Sequence, residues 1–163
     1  MALVLDGSLG VTFPVTAGSA SAVQASSGRV LQVVQGSFGG TSSTTSTSMV
    51  STSLNASITP SSSSSKVLVF VAGSAASNGL NQVAILSIFR STTNLASASF
   101  TYHANPVSGL NNWQSVNMQY LDSPATTSST TYTVYLMSSN ASATAYLGTG
   151  ANTNIITVME IAA

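Results

Sequence analysis

The stretch that decides the fold is KVLVFVA at residues 66–72, followed by QVAILSIFR at residues 82–90. Both are short runs of β-branched, aliphatic and aromatic residues, which favour β-strands that are at least half buried. A loop of small residues through Asn78 and Gly79 separates them, because Gly and Asn interrupt strands more often than they continue them. The next residues, 91–94, predict a hairpin turn.

Strand-forming segments recur along the rest of the chain, and no segment has helical periodicity. Residues 29–38 are apolar on both faces, as in a sandwich core or an intersubunit strand. Residues 41–48 are a Ser/Thr tract, which is either a linker or the approach to a strand. The remaining predicted strands are 47–58, 95–102, 113–121, 130–137 and 154–161, with a shorter piece at 143–147. Short strands between Gly-, Ser-, Asn- and Pro-rich loops predict an all-β fold, an antiparallel β-sandwich or jelly roll.

The composition points to a structural or binding protein. Charged residues make up 4% of the chain, against roughly 25% in an ordinary soluble domain. Ser and Thr number 32 and 20 of the 163 residues, 44% of residues are hydrophobic, and the formal net charge is zero. Without a basic patch the chain lacks the signature of nucleic-acid binding. Because little charge repulsion opposes self-association, we expect much of the surface to be buried in an ordered assembly.

The side chains that enzymes need are nearly absent. The residues that carry charge or titrate near neutrality are Asp6, Arg29, Lys66, Arg90, His103, Asp122 and Glu160, and Cys is missing. His103 is the one possible base of a Ser–His–Asp triad, but no Gly-x-Ser-x-Gly motif accompanies it. A glycosidase needs two facing carboxylates, and Asp6 and Asp122 are better explained as turn residues. We therefore predict no enzyme activity, no metal site and no cofactor.

Residues 1–28 differ in pattern from the rest, which predicts an extended N-terminal arm ahead of a β-sandwich domain at 29–163. One short strand is expected at 11–14, at a sheet edge because of Pro14. The large apolar residues of the arm are Leu3, Leu5, Leu9, Val11 and Phe13. Burying each such side chain is worth about 1.5–3 kcal/mol, so we expect the arm to dock on a neighbouring subunit or a larger scaffold. The sequence predicts neither a signal peptide nor a transmembrane helix.

Glu160 is the charge that is hardest to explain from sequence. It stands between Met159 and Ile161 in a predicted strand. One interpretation points it to solvent, opposite an apolar face of Ile155, Thr157, Met159 and Ile161. The other pairs it with Arg29, Lys66 or Arg90, because a buried carboxylate without a partner is costly. In the second case Glu160 is a structural charge.

A candidate surface-contact loop carries aromatic and amide residues. Tyr102, His103, Asn105 and Trp113 lie close together in sequence, with Asn111 and Asn112 between them. Aromatic rings beside amides can hold a sugar, since the ring stacks on the apolar sugar face and the amides bind hydroxyls. The alternative is that these residues close one end of the sandwich.

Several stretches together resemble bacteriophage tail-fibre modules, of the kind frequent in phages of cyanobacteria and other aquatic bacteria. They are VTFP at 11–14, ITPSSSSSK at 58–66, LDSPATT at 121–127 and ITVMEIA at 156–162. The resemblance covers most of residues 29–163. It implies a trimeric β-sandwich displayed on the virion, often touching the host surface.

Size is where the chain departs from this family, because tail fibres are usually much longer than 163 residues. A capsid decoration or cement protein built from the same module is therefore an alternative. We expect a non-enzymatic homotrimer in the virion that contacts other virion proteins through the N-terminal arm, with a host-surface glycan as a further possible partner. A carbohydrate-binding module is the alternative from a different functional class.

Overall fold

The structure is a computed structural model that describes residues 28–95 and 113–163, together with the backbone of three short strands at 4–6, 10–12 and 102–104. This part of the chain is built from β-strands, as the sequence predicts. They are β1 (Val4–Asp6), β2 (Gly10–Thr12), β3 (Val30–Phe38), β4 (Ser42–Thr44), β5 (Val50–Ile58), β6 (Lys66–Ser77), β7 (Val83–Arg90), β8 (Thr93–Asn94), β9 (Tyr102–Ala104), β10 (Gln114–Asp122), β11 (Thr130–Ser138), β12 (Ala145–Leu147) and β13 (Asn154–Ile161).

Two antiparallel sheets form the body of the fold. Sheet I has six strands in the order β3-β13-β6-β12-β4, with β10 on the other edge of β6, and sheet II contains β5-β11-β7 with β8 and β9 both paired to β7. When β3, β5, β6, β7, β9, β10, β11 and β13 are numbered one to eight, sheet I follows the order 1-8-3-6 and sheet II the order 2-7-4-5. This is the arrangement of a jelly roll, so the predicted fold class is confirmed.

The core lies between the two sheets and is made of aliphatic side chains from alternate positions of each strand. Buried residues include Leu54 and Ile58 of sheet II and Val69, Ile156 and Val158 of sheet I. Alternation of this kind follows from the two-residue repeat of a strand. At the side where β3 meets β5, Gly36 lets the sheets approach, because a Cβ atom there would lie 1.9 Å from the carbonyl oxygen of Asn55.

The strand boundaries that differ most from the sequence predictions lie in β4, β5 and β6. Strand β6 continues to Ser77, past the predicted end at Ala72, because its second half pairs with β12 on one edge and with β10 on the other. The Ser/Thr tract contains β4, which pairs with β12, and β5 begins at Val50. The hairpin after β7 is confirmed by the pairing of Arg90 with Thr93. Most of the strand predicted at 95–102 lies outside the described residues.

The N-terminal segment contains a small hairpin. Strands β1 and β2 form a separate two-stranded sheet in which Leu5 pairs with Val11. The sequence predicted one strand at 11–14, whereas β2 covers Gly10–Thr12 and has β1 as its partner. The division into an arm and a sandwich stays a prediction. No helix in the described part of the chain is long and apolar enough to span a membrane.

Candidate assembly surface

The outer face of sheet I carries an apolar row that crosses four strands. The register pairs Val33 with Met159, Met159 with Leu68, and Leu68 with Leu121. Directly paired residues on one face of a sheet lie about 5 Å apart at Cβ, so the four side chains are neighbours. We call these four residues the outer row.

The outer row is accessible to solvent in the single chain. Val33 is 56% exposed and Leu121 is 50% exposed. Phe70, one step further along β6, is 37% exposed and lines a concave region of about 450 Å³ with Ala72 and Gln119. Val30 and Leu31 extend the apolar surface along β3. A contiguous apolar patch of this kind on a soluble protein usually marks an interaction site.

Charge is almost missing from this face. Among the described residues, the charged side chain on the outer face of sheet I is that of Lys66, which pairs with Ile161 at the start of β6. The next row along the strands is Gln35, Thr157, Phe70 and Gln119, and Gln35 Nε2 donates to Thr157 Oγ1 at 3.3 Å. The surface around the outer row is therefore neutral.

The inner face of sheet I has the opposite character at the same end of the strands. Each member of the outer row has a sequence neighbour that lies on the inner face. These four neighbours are paired across the strands and form an inner row of Gln32, Glu160, Val67 and Asp122. Glu160 is fully buried and Asp122 is 6% exposed. At this end of sheet I, polar side chains point inward and apolar side chains point outward.

Glu160 is held by neutral donors. Gln32 Nε2 donates to Glu160 Oε2 at 2.6 Å and to the carbonyl oxygen of Thr59 at 2.7 Å. The backbone N–H and the hydroxyl of Ser61 both donate to Glu160 Oε1, at 2.8 and 2.7 Å, and Ser65 adds another hydrogen bond. Burial raises the pKa of this carboxyl, but the hydrogen bonds from Gln32, Ser61 and Ser65 outweigh burial and lower the pKa to about 2.

Both sequence interpretations of Glu160 are wrong in part. The side chain does not face solvent, and Ile155, Thr157, Met159 and Ile161 form the outward face of β13 instead. It is buried as the second interpretation required, but its partners are hydroxyl and amide groups and not Arg29, Lys66 or Arg90. Its structural effect is to fix the serine-rich loop that connects sheet II to sheet I.

Asp122 is the one carboxylate of the described residues that forms an ion pair. Arg90 Nη1 lies 2.9 Å from both of its oxygens, and the Tyr132 hydroxyl donates to Oδ2 at 2.8 Å. Burial, followed by the hydrogen bond to Asp122, raises the pKa of Tyr132 above its usual range. The expectation that Asp122 is a turn residue is wrong, because it ends β10 and joins that strand to β7 and β11.

The candidate surface-contact loop is described only in part. Tyr102 and His103 belong to β9 and pair with Ile85 and Ala84, and Asn105 lies outside the described residues. The half-buried ring of Trp113 packs against Tyr146 with a centroid distance of 5.9 Å. A sugar-binding shelf at these residues stays a prediction. Of the arm residues, Leu5 and Val11 lie in β1 and β2, and Leu3, Leu9 and Phe13 fall outside the described residues.

The outer face of sheet II differs from that of sheet I. Along β5 the exposed positions are Val50 at the start of the strand and then Ser51, Ser53, Asn55 and Ser57, and the hydroxyls of Ser57 and Thr131 are hydrogen-bonded at 2.7 Å. Thr133 on β11 is the cross-strand partner of Asn55. We call this the hydroxyl face. Its hydroxyl and amide groups can form hydrogen bonds with water without carrying charge, whereas the apolar side chains of the outer row cannot.

The described residues provide few side chains for metal binding or acid–base catalysis. No three His, Cys, Asp or Glu side chains among them lie close enough to hold a metal ion. Both buried carboxylates are fully engaged with donors inside the fold, so neither faces a cleft as a general acid or base would. The arrangement instead presents a neutral apolar surface suited to protein contact.

No known protein family matches the sequence, and no curated protein matches it. Among solved structures, the chain is similar to the VP2 subviral particle of infectious bursal disease virus, with 12% identity and a TM-score of 0.38 over 85% of this chain and 38% of the other. T=1 particles derived from the same virus give 14% identity and a TM-score of 0.40, covering 98% of this chain and 44% of the other. The chain thus spans less than half the length of both.

Proposed function

We propose that this chain is a non-enzymatic structural protein of a virus particle, displayed on the virion as a homotrimeric tail-fibre module of a bacteriophage. The observation that carries the proposal is the outer row, four apolar residues in register on a sheet face with one charged side chain. A surface of this kind needs a protein partner, and symmetric copies of the same chain are the commonest partner.

Three further features support the proposal. The jelly-roll order of the strands occurs in viral capsid proteins and lectins, although a fold alone does not define a function. The near absence of charge suits a surface that is buried in an assembly. The sequence stretches that resemble tail-fibre modules include both buried carboxylates, Asp122 and Glu160, together with the serine loop that binds Glu160.

A capsid decoration or cement protein is the alternative within the same class. Locating the chain in a reconstruction of the virus particle separates the two, because a tail-fibre module lies on the tail and a decoration protein lies on the capsid surface. Absence of the chain from purified particles, tested by mass spectrometry, contradicts both forms of the proposal.

A carbohydrate-binding module is the second candidate. It is favoured by Phe70, which is 37% exposed and stands beside Gln119 and Thr157 on the neighbouring strands. An aromatic ring flanked by uncharged hydrogen-bonding side chains is suited to a sugar. Binding to a glycan array that is lost in Phe70→Ala, with the oligomeric state unchanged, supports this function over a purely structural one.

A further inference from the structure

The outer row needs a partner of definite shape and chemistry. We propose that it receives the β1–β2 hairpin of a second copy of this chain. The inference rests on the proposed function, since it names the contact that joins neighbouring copies in the assembly.

The hairpin has the sequence pattern of a ribbon with one apolar face. Leu5 and Val11 are cross-strand partners, and partners in register lie on the same face of a sheet. Leu3, Leu9 and Phe13 stand two residues from one or the other, which is the spacing that repeats one face of a strand. An isolated two-stranded hairpin is at best marginally stable in water, so this apolar face requires a surface to cover it.

The size of the outer row fits a two-stranded ribbon. Four strands spaced about 4.8 Å apart span about 14 Å from the first to the last, which accommodates two strands with their side chains. The concave region of about 450 Å³ beside Phe70 and Ala72 lies next to the row and has room for a large side chain. Both partners carry apolar residues, so their contact removes apolar area from water on both sides.

The few charges of the chain do not oppose the proposed contact. Arg90 is paired with Asp122, and Glu160 is bound by neutral donors. This leaves Arg29 and Lys66, neither of which lies within 4.0 Å of a carboxylate among the described residues, and Asp6 of β1. Lys66 stands on the outer face at the start of β6, beside the outer row. Asp6 is one residue from Leu5, so by the two-residue repeat of a strand it belongs to the other face of the hairpin. Docking the apolar face of the hairpin therefore buries no charge against the outer row.

The proposed contact is heterologous, since the hairpin and the outer row are different surfaces of the chain. A heterologous contact generates a closed ring when its rotation closes, and an open filament when it does not. A homotrimer is then a ring in which each chain gives its hairpin to the next chain.

The absence of Cys from the chain allows a direct test. A tagged chain carrying Val11→Cys is co-expressed with an untagged chain carrying Met159→Cys, and the mixture is oxidised. Leu5→Cys serves as a second donor position, and Leu68→Cys and Leu121→Cys serve as further acceptor positions. Each donor is also co-expressed with Thr133→Cys on the hydroxyl face as the matched control. We expect a disulfide-linked heterodimer of one tagged and one untagged chain with at least one outer-row acceptor, and none with Thr133→Cys.

A double variant on one chain, Val11→Cys with Met159→Cys, distinguishes exchange between copies from docking within one chain. Exchange gives covalent multimers on a non-reducing gel, whereas docking within one chain gives a cross-linked monomer and overturns the inference. If the unmodified protein is trimeric but no acceptor position yields the heterodimer, the inference fails while the proposed function stands. A monomeric unmodified protein overturns both.

Discussion

The outer and inner rows of sheet I lie one residue apart along each strand and have opposite chemistry. Outward, Val33, Met159, Leu68 and Leu121 are apolar; inward, three of the four residues, Gln32, Glu160 and Asp122, are polar or charged. A solvent-exposed sheet normally shows the reverse alternation. The inversion is understandable if water does not bathe the outer face in the working state of the protein.

The hydroxyl face of sheet II gives the contrast within the same chain. From Ser51 to Ser57 its exposed positions on β5 are Ser and Asn, and the hydroxyls of Ser57 and Thr131 bond to each other across strands. Both faces are nearly free of charge, yet the hydroxyl face can form hydrogen bonds with water and the outer row cannot. Net charge therefore does not distinguish the two faces, whereas the residue types in register on each sheet do.

The largest effect is expected from placing a charge in the outer row. Leu68→Glu should abolish self-association, because an unpaired carboxylate buried at an interface costs several kcal/mol. Thr133→Glu on the hydroxyl face is the matched control and should leave the oligomer intact. Sedimentation velocity measures both variants. Equal behaviour of the two variants would contradict the contrast between the faces.

Removing a charge from the inner row should destabilise the fold. Glu160→Ala leaves the donors of Gln32 and Ser61 without an acceptor, so we expect the free energy of unfolding to fall on the order of 3 kcal/mol. Glu160→Gln should cost less, since it keeps the shape and part of the hydrogen bonding. Thr157→Val, on the outward face of the same strand, should stay within about 0.5 kcal/mol. Denaturant unfolding distinguishes the three, and equal losses for the Glu160 and Thr157 variants would show that the inner row is not structural.

Acid should reproduce part of that loss. The pKa of Glu160 is lowered to about 2, below the value of about 4.3 expected in the unfolded chain. Stability from its ionised form is therefore fully present above about pH 5 and is lost as the pH falls towards 2. Melting temperatures recorded from pH 6 to pH 2 should fall less steeply in Glu160→Gln than in the unmodified protein. Parallel curves would mean that Glu160 does not contribute.

The smallest effect concerns the other carboxylate of the inner row. Tyr132→Phe removes one hydrogen bond to Asp122 but leaves the ion pair with Arg90. We expect a loss of about 1–2 kcal/mol, smaller than that of Glu160→Ala, and no change in oligomeric state. A loss as large as that of Glu160→Ala would show that the ion pair depends on Tyr132.

The strands of the fold were predictable from sequence, because period-two patterns and turn residues are local signals. The extension of β6 to Ser77 was not predictable, since GSAAS resembles a loop and becomes a strand through its pairing with β10 and β12. The apolar character of residues 29–38 on both faces did indicate an unusual strand, and β3 exposes Val30, Leu31 and Val33.

The contacts of the buried carboxylates could not be predicted from the sequence. Glu160 meets Gln32 and Ser61 from distant parts of the chain, and its partners depend on which strands are neighbours in the sheet. The serine run beside Pro60 was a usable signal, since five consecutive hydroxyls can supply donors to a buried anion. The outer row required the register of four strands, which a single sequence does not define.

We infer that the outer face of sheet I is covered by other copies of the chain. Sedimentation equilibrium of the purified protein at micromolar concentration tests it most directly. We predict a single species near three times 16.4 kDa, without a folded monomer on dilution. A stable, folded monomer of 16.4 kDa with an intact β-sheet signal in circular dichroism would contradict it.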